Sequence, residues 1–144
     1  MTVQNEKNIV LLTHLSGFGG YVFPFGSIII PFIIRETKKN ESKRLDEVSK
    51  DVVNFNLSYL LYTMILKVSI IPFFIGTFFQ NFRRVTDYDN FNFNYESEHF
   101  YGFVSIASIL SILAIIKAVL IIQAAIKSNN NEDYKYPFVI KFIQ

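Results

Sequence analysis

Residues 102–126 read GFVSIASILSILAIIKAVLIIQAAI, and Lys117 is the only charged residue among them. At a helical rise of about 1.5 Å per residue, this stretch covers the roughly 30 Å hydrocarbon core of a lipid bilayer. It shows no period-2 alternation, and isoleucine, leucine, alanine and serine dominate it. Its length and composition therefore predict a membrane-spanning helix rather than the core helix of a soluble domain.

The composition of the whole chain is typical of a membrane protein. Hydrophobic residues make up 51% of the 144 residues, and the mean hydropathy is positive. The chain has no cysteine, which excludes disulfides, thiolate metal ligands and thiol nucleophiles. A net charge of +2 is too small to predict a nucleic-acid partner.

Three apolar stretches predict an all-α, polytopic membrane protein with three transmembrane helices. The predicted segments are spans at 8–34, 52–79 and 102–126, a charged cytoplasmic connector at 35–51, an external aromatic loop at 80–100, and an interfacial segment at 134–144, called the C-terminal tail below. Six lysines and arginines lie in the connector and three in residues 127–144, against one in residues 1–7 and two in the loop. This bias predicts an outside N-terminus and a cytoplasmic C-terminus.

Glycine and proline interrupt the first two spans. The predicted helix breaks are Gly19, Gly20, Pro24 and Pro31 in the first span and Pro72 in the second. A kinked single helix is the preferred interpretation of the first span. The alternative is a re-entrant hairpin with a half-helix to Gly17, a turn, and a second segment from Tyr21, which would place the N-terminus on the other side.

Three ionisable residues at membrane depth are the candidate functional residues: His14, Lys67 and Lys117. A structural role for His14, donating to a backbone carbonyl near the glycines, is the competing interpretation. Lys67 can extend along its own helix toward the cytoplasmic surface. Lys117 leans the other way and stays deep, so it needs a buried partner or a water-filled cavity. The carbonyls near the predicted break in the first span are the expected acceptors.

Two helix faces are predicted to pack against other helices. Asn56, Thr63 and Lys67 share one face of the second span, which should point to protein or water. Small residues form a stripe along the third span: Ala107, Ser111, Ala114, Ala118 and Ala125. A stripe of this kind lets another helix approach closely.

The two connections differ in character. Residues 35–51 carry no apolar face wide enough to bury, so they predict a solvated connector whose second half is helical and continues into the second span. The loop alternates aromatic and polar residues over 91–95, which indicates an extended segment. An aromatic belt at the membrane interface is one interpretation, and a binding loop for an outside partner is the other.

No catalytic or metal-binding pattern is present in the sequence. Ser16 is two residues from His14, and no acidic residue within a span could orient the imidazole. The glycines of residues 17–20 lack the Lys-Ser/Thr continuation of a phosphate loop. With two distant histidines and no cysteine, a metal site is not expected. We therefore predict no enzymatic activity, no metal and no cofactor.

Several short motifs are similar to those of the bacterial Tic-twenty-like family of small membrane proteins. They are His14, Leu15 and Ser16; Pro31, Phe32 and Ile33; Asn54 and Phe55; Ala124, Ala125, Ile126 and Lys127; and Tyr134, Tyr136, Pro137, Ile140, Lys141 and Phe142. The chain departs from that family at Val48, where a histidine is usual. The resemblance implies a component like the plastid import channel subunit, with no agreed activity in bacteria.

The sequence favours a non-catalytic accessory or scaffold module in the bacterial inner (plasma) membrane. The expected partners are the lipid bilayer and a second copy or another membrane protein, without nucleic acid. A small transport or protein-translocation component is the alternative, favoured by the broken helices and the mid-depth lysines. A continuous water-accessible path lined by His14, Lys67 or Lys117 would distinguish the two.

Overall fold

The structure is a computed structural model that describes residues 2–86 and 97–144. Over these residues it is all-α, as predicted, and contains no strand. Its helices are α1 (Val3–Leu15), a 3-10 helix (Ser16–Tyr21), α2 (Gly26–Lys38), α3 (Lys43–Thr86) and α4 (Ser97–Asn129). The chain divides into unit 1, which is Met1–Leu61 with Ile115–Gln144, and unit 2, which is Tyr62–Ala114.

The predicted first span is two α-helices, so a single kinked helix is not formed. After the 3-10 helix, Phe25 adopts a left-handed conformation with φ of 63°, which turns the chain before α2. The Gly19 and Gly26 backbones then touch, because neither carries a side chain. Gly19, Gly20 and Pro24 lie at this break, whereas α2 continues through Pro31.

Helix α3 begins inside the predicted connector. The Ser42 hydroxyl accepts a hydrogen bond from the Leu45 N–H (3.2 Å), an N-cap that starts the helix. The helix then continues through Pro72 to Thr86. The prediction that the connector has no apolar face wide enough to bury was wrong, because Leu45 and Val48 within it are buried. They belong to one face of α3 that continues with Val52 and Phe55 of the predicted second span.

Ion pairs join α2 to the first turns of α3. Arg35 Nε lies 2.9 Å from Asp46 Oδ1, and Lys50 Nζ lies 2.7 Å from Asp46 Oδ2. The hydrogen bond from Lys50, with a further one from Arg35, lowers the pKa of Asp46 below its usual value. The attractive Asp46 and Lys50 pair that the spacing of four residues predicts is therefore formed.

The core of unit 1 lies between α1, α3 and α4. Val10 of α1 and Ile121 and Ala124 of α4 pack with the buried face of α3. Tyr136 of the C-terminal tail completes the cluster. Residues from both ends of the sequence therefore build one core.

One helix of the described residues is long and apolar enough to cross a membrane, Val104–Asn129 within α4. Only 11% of its most apolar window is buried inside the chain, which is unlike the core helix of a soluble protein. The hydroxyls of Ser105, Ser108 and Ser111 bond to carbonyls four residues earlier, so they need no outside partner. The third predicted span is supported, but three transmembrane helices are not confirmed.

Unit 2 contains the second part of α3 and the first part of α4. Its described apolar side chains are largely exposed, among them Met64, Ile65, Val68, Ile71, Ile109 and Ile112. The predicted loop is shortened from both sides, because α3 extends to Thr86 and α4 begins at Ser97. The aromatic alternation over 91–95 lies outside the described residues.

Candidate functional site

Lys117 is enclosed in unit 1 by aromatic faces. Its side chain is 5% exposed, and its Nζ lies 4.6 Å from the ring centroid of Tyr59 and 5.8 Å from that of Tyr21. Cation–π contacts contribute about 0.5–2 kcal/mol each. An ammonium at the centre of a bilayer costs roughly 2.5–3.5 kcal/mol on insertion scales. Two rings therefore offset much of that cost without a carboxylate.

The position of Lys117 follows from the spacing of α4. Lys117, Ile121, Ala124 and Ser128 recur at intervals of four, three and four residues and are all buried. This spacing places them on one face of the helix, which is the face that meets the core of unit 1. The lysine is thus held on the packed side of α4, while its neighbours Ile115 and Ile116 are exposed.

Gly20 of the 3-10 helix lies close to both Lys117 and the first turn of α2. A Cβ built on Gly20 would stand 2.9 Å from the Ser27 hydroxyl and 3.9 Å from Lys117 Nζ. Ser27, in the first turn of α2, is 7% exposed. The absence of a side chain at Gly20 therefore lets a helix start and a buried amine approach each other.

His14 is buried in a separate aromatic cluster. It is 1% exposed, and its Nδ1 shares a hydrogen bond of 3.0 Å with the hydroxyl of Tyr136. The Tyr136 ring stacks on Phe55, with centroids 4.1 Å apart and planes 13° apart. Burial raises the pKa of Tyr136, so the phenol remains protonated. The structure thus pairs His14 with a tyrosine, where the sequence suggested a backbone carbonyl.

Two polar side chains of α3 hold the C-terminal tail by its backbone. Asn54 Oδ1 accepts from the N–H groups of Phe142 (3.0 Å) and Ile143 (2.8 Å), and its Nδ2 donates to the Ile143 carbonyl (2.9 Å). One turn later, the Ser58 hydroxyl accepts from the Ile140 N–H (2.8 Å). We call Asn54 and Ser58 the tail clamp.

The tail clamp was not predicted from the sequence. Its partners are separated by 82 to 89 residues, so no local pattern links them. Most tail side chains, including Phe138 and Lys141, are exposed. The tail is therefore fixed mainly through its main chain and Tyr136. One available signal was the four-residue spacing of two polar residues in an apolar stretch.

The other predicted residues lie apart from these two clusters. Lys67 is exposed in unit 2. In the small-residue stripe, Ala107 and Ser111 are exposed, Ala114 and Ala118 are half-buried, and Ala125 is buried. Pro72 lies within α3 and is exposed. In residues 2–86 and 97–144, no three side chains of histidine, cysteine, aspartate or glutamate are grouped as metal ligands would be.

A known protein family matches nearly the whole chain. The model of the family described as magnetosome magnetite crystal formation protein, MamF_MmsF, matches residues 5–143. No curated protein and no solved structure gives a significant match.

This match overturns the resemblance to the Tic-twenty-like family, which was wrong. Several motifs behind that resemblance have a local packing role instead. His14 bonds to Tyr136, Phe55 stacks on the same ring, and Asn54 holds the tail backbone. Short motifs of this kind reflect how helices and the tail pack together. Unrelated families can share such packing, and therefore such motifs.

Proposed function

The chain belongs to the magnetosome magnetite crystal formation protein family, and we propose that it is a non-catalytic accessory module of the magnetosome membrane. In this role it holds other molecules in place during magnetite crystal formation and performs no reaction itself. The observation that carries the proposal is the family match over residues 5–143, together with an apolar helix whose side chains face away from the chain.

The surroundings of the candidate residues support an accessory role over transport. His14 and Lys117 are each enclosed by aromatic side chains within unit 1. A transport path would need such residues to line an aqueous channel. Their burial therefore favours a structural or ligand-holding role for both.

The proposed partners are the lipid bilayer and a second copy or another membrane protein. The exposed small residues Ala107 and Ser111 are the face on which we expect a helix of that partner to pack. For the topology we propose the re-entrant alternative, with α3 and α4 as spans and both termini in the cytoplasm, in place of the predicted outside N-terminus. It is supported by the Ser42 hydroxyl of the connector, which donates a hydrogen bond to Glu6 Oε1 near the start of α1 (2.6 Å).

Deletion of the gene is the direct test of the accessory role. We expect smaller or fewer magnetite crystals by electron microscopy, full rescue by the wild-type chain, and poor rescue by Ser111→Leu, because leucine separates two helices that pack closely. Ile112→Leu, one residue along and also exposed, is the matched control and should rescue. Normal crystals in the deletion strain would contradict the proposal.

Reconstitution distinguishes the accessory role from transport. The purified chain in liposomes should not accelerate release of trapped ions or of a trapped peptide. Fast release that depends on Lys117 would contradict the accessory role and favour the transport alternative.

Single cysteines test the topology, since the chain contains none of its own. Cysteine at Asn40 should react with an impermeant maleimide only after permeabilisation, because the basic connector is placed in the cytoplasm. Cysteine at Asn92 should react from the outside. The reverse pattern would contradict the cytoplasmic placement of the connector.

A further inference from the structure

We propose that unit 1 contains a binding site for a small oxyanion, such as phosphate, between the start of α2 and the amine of Lys117. The proposal is independent of the accessory function, because it rests on the contacts around Gly20. It describes binding and implies no transport.

The first support is the uncapped start of α2. Its N-cap residue, Phe25, makes no side-chain hydrogen bond to the helix. In this first turn the Gly26 N–H bonds to the Phe23 carbonyl (3.1 Å) and the Ile28 N–H to the Phe25 carbonyl (2.9 Å). Among the described residues, the N–H and the hydroxyl of Ser27 are left without a hydrogen-bond partner. The first turn of a helix combines free N–H groups with the positive end of the helix dipole, and this arrangement favours anions.

The second support is independent and comes from α4. Lys117 is 5% exposed and points its amine toward the same place, with Nζ 3.9 Å and the Ser27 hydroxyl 2.9 Å from the position of a Cβ on Gly20. The rings of Tyr21 and Tyr59 face the amine through cation–π contacts. No carboxylate forms an ion pair with it within residues 2–86 and 97–144. Its N–H donors therefore remain available to a ligand.

The chemistry of these groups selects an anion. The ammonium and the Ser27 N–H can only donate hydrogen bonds, and the serine hydroxyl can donate as well. Lys117 lies within the candidate span Val104–Asn129, where a bound anion would add to the cation–π contacts in offsetting the cost of its charge. A helix start that follows a break in a segment is the arrangement that binds anionic groups inside membrane proteins.

A dissolved oxyanion and the phosphate of a lipid headgroup offer the same acceptor atoms. Two arms of one experiment separate them. In the first, the full chain is purified in phosphate-free non-ionic detergent and titrated with inorganic phosphate, with chloride at equal ionic strength as the control. In the second, it is placed in nanodiscs of a galactolipid, which contains no phosphate, with or without phosphatidic acid.

The readout is the melting temperature of the wild-type chain. At a ligand concentration a hundred times the dissociation constant, mass action predicts a rise of roughly 5–10 °C. A rise with inorganic phosphate identifies a dissolved oxyanion, and a rise only with phosphatidic acid identifies a lipid headgroup.

Substitutions assign the effect to the site. Lys117→Met should abolish the rise, and Ser27→Ala should weaken binding roughly tenfold, because one hydrogen bond to a charged group is lost. Gly20→Ala should block the site, whereas Gly76→Ala, with no atom within 4 Å of the new Cβ, should not. Lys67→Met is the matched lysine control. The proposal is overturned if neither ligand stabilises the wild type, or if Ser27→Ala and Gly20→Ala respond as the wild type does.

Discussion

Gly26→Ala is expected to destabilise unit 1 by about 3 kcal/mol, near the upper end for overpacked sites. The new Cβ would collide with the Gly19 carbonyl oxygen and stand 2.7 Å from the carbonyl carbon and 2.9 Å from Phe23 Cε1. Two of these atoms belong to the backbone of the 3-10 helix and cannot rotate away. Relief requires the 3-10 helix and α2 to separate, which opens the turn at Phe25.

The measurement for this prediction is unfolding of the purified chain in detergent, followed by circular dichroism. Gly76→Ala is again the control, since its Cβ meets nothing and alanine favours a helix interior by about 1 kcal/mol over glycine. The two variants should therefore shift stability in opposite directions. Equal melting temperatures for both would contradict the close contact between Gly19 and Gly26.

Asn54→Leu is expected to release the C-terminal tail and to cost about 3 kcal/mol of stability, at about 1 kcal/mol for each of three lost hydrogen bonds. Leucine has the same number of side-chain heavy atoms as asparagine and the same branching, so the loss comes from the hydrogen bonds rather than from a cavity. Hydrogen exchange should become fast at Phe142 and Ile143, whose N–H groups lose their acceptor.

Asn56→Leu, two residues along α3, is the matched control for this substitution. Asn56 is also buried, but its Oδ1 has no partner and its Nδ2 bonds only to the Val52 carbonyl. Removing an unsatisfied buried oxygen is close to neutral or stabilising. Tail exchange should stay slow in this variant. Fast hydrogen exchange of the tail in both variants, or in neither, would contradict the conclusion that the tail clamp holds the tail.

The membrane helix could be predicted from sequence because length and composition alone decide it. Residues 102–126 differ from the candidate span Val104–Asn129 by only a few positions. The glycines also predicted the break after α1. They did not decide between a kinked helix and two separate helices. That choice depends on the contact of Gly19 with Gly26, which is tertiary.

The helical start of α3 was predicted, but its buried face was missed for a different reason. Charged residues fill the stretch, and their density hid the apolar spacing that Leu45, Val48 and Val52 form across it. A helix needs only one buried stripe, so a charged segment can contribute to a core. The surroundings of Lys117 and His14 could not be predicted from the sequence, because both residues contact tyrosines of other elements.

The joining of the two ends of the chain in unit 1 also bears on biosynthesis. His14 emerges early from the ribosome, yet its partner Tyr136 is 122 residues further along. The same delay applies to the tail clamp, whose ligands are translated last. Until then α1 and the first half of α3 lack part of their packing surface. A ribosome that stalls after α4 would therefore leave a membrane-inserted but incompletely packed protein, a state that proteolytic quality control can recognise.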